Sequence, residues 1–166
     1  MKKFWIFLAA IAFALGLAAC SADKEVQPGN TATEKAEKPA ENPKSTLFRF
    51  YMSIVNTINQ ADADLNAYEG AEEPTPDEKV AASTSAAAVE SDLQGLEVPA
   101  ELKDQKADLE AALKDLAESY NMKAEELKKD TPALDPANEK FAQAEEKIGA
   151  AFESVDMKKP SLAKEL

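Results

Sequence analysis

The stretch ELKDQKADLEAALKDLAESYNMKAEELKK, residues 101–129, decides the fold class. Its Leu102, Leu109, Leu113, Leu116, Tyr120, Ala124 and Leu127 recur in steps of three, four and seven residues. That spacing lines one face of an α-helix, and the intervening Asp, Glu and Lys line the other. The spacing predicts a helix from Pro99 to about Lys129. Lys106 falls on the same seam near its start, where its stem can lie on apolar surface while its ammonium reaches water. Glu110→Lys114 and Glu125→Lys129 are spaced as favourable i,i+4 pairs, each worth a few tenths of a kcal/mol.

Working outward, three more segments carry the same period. Upstream, Thr75-Pro76-Asp77-Glu78 reads as a capping box with Pro at the first helical position. The helix it opens has a thin seam of Ala82, Ala86, Val89, Leu93 and Leu96. Its run Ala82-Ser83-Thr84-Ser85-Ala86 has only small side chains, which favours close approach of a neighbouring helix; the rival reading is a shallow groove. Before it, Leu47, Tyr51, Ile54, Ile58, Ala61, Leu65 and Tyr68 form one seam, predicting a single helix from about Ser45 to Glu69, stopped by Gly70. Phe48 and Val55 widen its stripe. Downstream, Asp135 is the expected N-cap and Pro136 the first residue of a helix carrying Ala137, Phe141, Ala144, Ile148, Ala151 or Phe152, and Val155. Gly149 interrupts it, at up to ~1 kcal/mol relative to Ala.

No alternating β-branched pattern competes. The expected fold is therefore all-α, an up-down-up-down four-helix bundle with coiled-coil-like seams and short connections. A long three-helix arrangement with the thin helix at its periphery is the rival. The expected organisation is a leader at residues 1–19, a tether at 20–44, the bundle at 45–157 and a flexible tail at 158–166.

Residues 21–44, SADKEVQPGNTATEKAEKPAENPK, contain no aromatic residue and one large apolar residue, Val26. They bury too little apolar surface to offset ordering entropy and read as a disordered tether. Ahead of them, Met1-Lys2-Lys3 is a short basic region and Phe4 to Leu17 an apolar run, too short for the roughly twenty residues a membrane span needs. Its length suits a cleaved signal peptide. The run ends in Leu17-Ala18-Ala19-Cys20, which resembles the lipobox of bacterial lipoprotein precursors position by position. The resemblance implies cleavage between Ala19 and Cys20 and a diacylglyceryl thioether on Cys20. It thereby implies a membrane partnership through that lipid anchor, on the outer leaflet of the cell membrane or on an outer membrane. Ser21 resembles the sorting pattern for the latter in a cell with two membranes. Fatty chains contribute ~0.8 kcal/mol per buried CH₂, so two or three together anchor stably.

The chain of 166 residues carries a formal charge of −12, and removal of the leader with Lys2 and Lys3 brings the side chains to −14. That excess opposes nucleic-acid binding. One cysteine permits no internal disulfide, and the lack of any histidine removes the usual neutral-pH base and the commonest transition-metal ligand. Glu125-Glu126 and Glu145-Glu146 lack the histidines of a di-metal bundle site. Asp62-Ala63-Asp64 imitates only the start of a calcium loop. Serine has no base, and no phosphate loop occurs. The expectation is no enzyme, no cofactor and no metal.

Phe48-Arg49-Phe50-Tyr51 sets the only arginine among three aromatics. Phe48, Arg49 and Phe50 are candidate partner-binding residues, since such side chains dominate binding hot spots; the alternative is rings that cap the core, with Arg49 paired to a carboxylate. The segment from Leu93 to Leu102, LQGLEVPAEL, resembles small helical lipoproteins of Gram-positive bacteria with no assigned function. Together these features give the expected function: a lipid-anchored extracytoplasmic envelope protein whose bundle is a non-enzymatic interaction or accessory module for an envelope protein partner. The alternative is a small-ligand carrier or sensor using a pocket between helices.

Overall fold

The computed structural model describes residues 42–166. The leader, Cys20 and the tether through residue 41 lie outside the described residues. Among those described are five α-helices: α1 (Pro43–Asn59), α2 (Ala63–Gly70), α3 (Pro76–Gln94), α4 (Lys106–Glu126) and α5 (Asp135–Glu153), followed by a 3-10 turn over Leu162–Lys164. The all-α class stands, but the four-helix bundle is corrected to five helices, because the first predicted helix is two.

The division has a visible cause. Helix α1 tightens at its end, where Ala61 N and Asp62 N both donate to Ile58 O at 3.0 Å. The bond that a continuous helix would make from Leu65 N to Ala61 O is replaced by a relay through α3: Leu65 N donates to Ser85 Oγ at 3.4 Å, and Ser85 Oγ donates to Ala61 O at 2.5 Å. A side chain inserted into the helical ladder is a recognised cause of a sharp break. Ile58 and Leu65 on either side remain fully buried, so the apolar seam survives the interruption.

The remaining helices run antiparallel to their neighbours. Ser83 Oγ donates to Ala124 O at 2.8 Å and Lys79 Nζ to Lys129 O at 2.8 Å, pairing the start of α3 with the end of α4. Ser119 Oγ donates to Ala137 O at 2.7 Å and Gln105 Nε2 to Ser154 Oγ at 3.0 Å, reversing α5 against α4. Tyr51 meets Phe152 edge-on, with centroids 5.5 Å apart, joining α1 to α5. The small-residue run on α3 is thus a contact face and not a groove; Ala82 and Ala86 are fully buried. The core collects Leu47, Ile54, Leu116, Leu127 and Ile148 from different helices, all essentially without solvent exposure.

Helix boundaries follow local chemistry. Asn42 caps α1 by accepting from Lys44 N at 3.0 Å, so the helix starts slightly before the composition change at Ser45. The Thr75–Glu78 capping box forms as read, with bonds of 3.2 and 2.7 Å. The helix expected from Pro99 is delayed to Lys106. Two successive tight turns, Leu102 N to Pro99 O and Gln105 N to Leu102 O, occupy the interval and bury Leu102 completely. Leu134, not Asp135, stands at the cap of α5, and Asp135 is its first residue. The surface ion pairs also shift partner, to Lys106–Glu110, Lys128–Glu125 and Lys129–Glu126.

Residues 158–166, expected as a flexible tail, pack on the bundle. Helix α5 ends in a Schellman arrangement: Met157 N donates to Phe152 O and Asp156 N to Glu153 O, both at 3.0 Å, with Asp156 left-handed at φ 53°. This turns the chain back along the bundle. The Lys159 stem then crosses Gly149 where a Cβ would stand, Leu162 is fully buried, and Asn59 Nδ2 donates to Glu165 O at 3.0 Å. Gly149 is therefore a crossing point in the packing.

Ser85→Ala is expected to lower stability by about 1–3 kcal/mol, since it strips the part-buried Ala61 carbonyl and the buried Leu65 N–H of their shared partner. Denaturant unfolding followed by circular dichroism measures it; an unchanged midpoint would show that the relay contributes nothing.

Candidate functional site

The residues nominated by sequence do not form one anchor. At the start of α1, Phe50 turns inward at 5% exposure while Phe48 stays 50% exposed, because a two-residue step moves a side chain over half a helical turn. Arg49 Nη2 donates to Thr46 Oγ1 at 3.4 Å and lines a recess of about 330 Å³ with Phe50, Leu96 and Glu97. Cys20 and Ala19 lie outside the described residues.

Two other concavities are better formed. Helices α3 and α4 leave a groove of about 540 Å³ between Leu93 and Leu96 on one side and Leu113 and Ala117 on the other, rimmed by Glu90, Glu110 and Lys114. It adjoins the C-terminal half of the thin-seamed helix, away from its small-residue run.

The second is a half-open cavity of about 330 Å³ between α2, α4, α5 and the returning C-terminal segment. Leu65 and Phe141 supply apolar wall, and Asn66, Glu69, Lys123 and Asn138 supply polar groups. Lys123 is only 7% exposed; its Nζ donates to Glu69 Oε1 at 2.7 Å and stands 5.7 Å from the Tyr120 ring centroid. The Tyr120 ring meets Phe141 edge-on, centroids 6.4 Å apart at 72°. Burial, with Asp62 and Glu69 nearby, raises the Tyr120 phenol well above its ordinary value and keeps it protonated.

Behind this wall sits Asp62, 2% exposed, accepting from Asn66 Nδ2 at 2.9 Å. Burial raises its pKa; the Asn66 bond, a backbone N–H and the Lys123 charge lower it but do not win, and Glu69 adds to the rise. Asp115, between α4 and α5, is the opposite case. Burial opposes its charge, yet hydrogen bonds from Lys147 and Lys140, the latter at 3.3 Å, hold its carboxyl below the usual range.

Sequence reading missed Lys123, although the signal existed: it lies three residues after Tyr120 and one before Ala124, at the edge of the apolar seam. Among the described residues there is no group of three or more His, Cys, Asp or Glu side chains placed to hold a metal ion, and no helix long and apolar enough to cross a membrane. No protein-family model, curated protein or solved structure matches the chain.

The two buried aspartates have opposite pH signatures. Asp115 has a depressed folded pKa, so its stabilisation is complete above the unfolded carboxylate range and is lost as pH falls through the folded value. Asp62 has a raised folded pKa, so its ionisation destabilises the fold at neutral pH, and that cost disappears on acidification. Asp62→Asn, which keeps an acceptor for Asn66, is expected to be more stable than the parent at pH 7, with the gap closing towards about pH 3. Asp115→Asn is expected to be less stable at pH 7, with its gap also closing in acid. Urea unfolding across that range checks both; parallel stability curves for parent and variants would contradict them.

Proposed function

We propose that this chain is a lipid-anchored extracytoplasmic envelope protein, held by Cys20, whose helical domain is a non-enzymatic interaction or accessory module. The observation that carries the address is Leu17-Ala18-Ala19-Cys20, closing an apolar run behind Lys2-Lys3 and using the only cysteine of the chain. The domain itself is all-helical among the described residues. Its buried serines are engaged in joining helices. What the surface offers is contact area: the α3–α4 groove and the half-exposed Phe48. An envelope protein is the partner this reading names.

The cavity beside Lys123 favours a second reading of the same anchored domain, as a carrier or sensor of a small ligand. A part-buried ion pair at the wall of a half-open, partly apolar cavity supports a recognition site.

Mass spectrometry of protein isolated from a bacterial host is expected to show loss of residues 1–19 and added acyl mass on Cys20. Cys20→Ala is expected to leave an unprocessed or an unacylated form. Acyl mass retained in that variant would overturn the anchor. Cross-linking on intact cells, compared between parent and Phe48→Ser, tests the module: an envelope protein captured by the parent and lost with the variant is the expected result.

A further inference from the structure

We infer that the cavity between α2, α4 and α5 is a binding site for a zwitterionic α-amino acid with an apolar side chain. This rests on the second functional reading and assigns its ligand class. Among the side chains of the lining there is one cation, Lys123, and one anion, Glu69, with the amides Asn66 and Asn138 and the apolar Leu65 and Phe141. A ligand bearing only a carboxylate gains Lys123 but meets Glu69 and the surrounding negative charge of the protein. A ligand bearing only an ammonium gains Glu69 but meets Lys123. A zwitterion satisfies both.

The geometry fits that pairing. Lys123 Nζ and Glu69 Oε1 are 2.7 Å apart, comparable to the spacing of ammonium and carboxylate within an α-amino acid. Laid antiparallel beside the pair, the ligand completes a ring of four alternating charges. Lys123 has three N–H donors and gives one to Glu69, while Glu69 accepts through one of its two oxygens. The side chain of the ligand then has Phe141 and Leu65 to cover it. At about 330 Å³ the cavity lies at the small end of ligand sites, which run ~300–1,000 Å³, and suits one amino acid better than a peptide. The Lys123 side chain is 9% exposed and that of Glu69 33%, so the pair is reachable from solvent by an entering ligand.

The test is calorimetric titration of the purified full chain in detergent with L-leucine and L-phenylalanine. The control ligands are N-acetyl-L-leucine, which lacks the ammonium, and L-leucinamide, which lacks the carboxylate. Saturable binding of at least one amino acid is expected, with both derivatives about tenfold weaker or worse, equivalent to ~1.4 kcal/mol. Lys123→Met and Glu69→Gln are expected to weaken amino-acid binding by a similar factor. The derivatives are compared on the unaltered protein, so the result stands even where a variant folds poorly. Derivatives that bind as well as the parent amino acids overturn the zwitterion assignment while leaving a ligand cavity in place. No saturable binding by any of the four compounds overturns the assignment and removes the support for a carrier.

Discussion

One hydroxyl sets the geometry of the junction between α1 and α2. Ser85 Oγ takes the N–H of Leu65 and gives its proton to the carbonyl of Ala61, standing where a direct helical bond would be. An unpartnered peptide group in this buried position would carry a desolvation cost of about 1–3 kcal/mol, and the relay removes it for two groups at once. Because the chain breaks there, α2 leaves the line of α1 and brings Asn66 and Glu69 to the cavity they share with Lys123. The ion pair, the cavity and the burial of Asp62 all depend on that break.

The same chemistry recurs elsewhere in a milder form. Ser83 and Ser119 donate to carbonyls of facing helices at 2.8 and 2.7 Å. The Ser83 bond goes to Ala124 O in the last turn of α4, where the Lys128 N–H has turned to Glu125 O, and the Ser119 bond goes to Ala137 O inside α5, whose second lone pair accepts it without displacing a helical N–H. Small residues are what allow the backbones to come this close. The weak apolar seam of α3 is thus compensated by directional bonds to α4 and to the α1–α2 junction. A thin helix holds its central place by hydrogen bonds as much as by buried area.

Much of the helical content was legible in the sequence, and the failures have specific causes. The periods around Leu113 and Ile148 and the Thr75–Glu78 box pointed to helices that formed, since one-dimensional spacing and local capping carry that information. The break at Gln60–Asp62 left no trace in the period: Ile58, Ala61 and Leu65 keep helical spacing across it, and its cause sits on α3. The turns after Pro99 depend on Leu102 finding the core as a single anchored residue, which its place in a longer seam disguised. The returning C-terminal segment depends on Asp156 accepting a left-handed conformation, a backbone property that composition does not display. The Phe48-Arg49-Phe50 cluster was conspicuous as sequence, yet helix geometry separates its two rings. Lys123 was inconspicuous among many lysines, and only the arrival of α2 makes it special.

The two buried aspartates show where the fold is at ease and where it is not. Asp115 lies between α4 and α5 with the ammonium groups of Lys140 and Lys147 against it, and Lys140 also reaches Glu118 at 3.1 Å. Its charge is matched and its ionisation favoured. Asp62 is buried as deeply, but its hydrogen-bonded side-chain partner is the neutral amide of Asn66, and the nearby Lys123 is already bonded to Glu69. Ionisation there is disfavoured, and Glu69 and Tyr120 share the same congested field. Sequences that specify one structure tend to be locally consistent, and departures concentrate where something other than stability is being selected. Here the departures, a broken helix, a part-buried ion pair and a carboxylate without a bound cation, lie together around α2, and the ion pair lines the cavity beside it. The matched cluster around Asp115, between α4 and α5, lines none of that cavity.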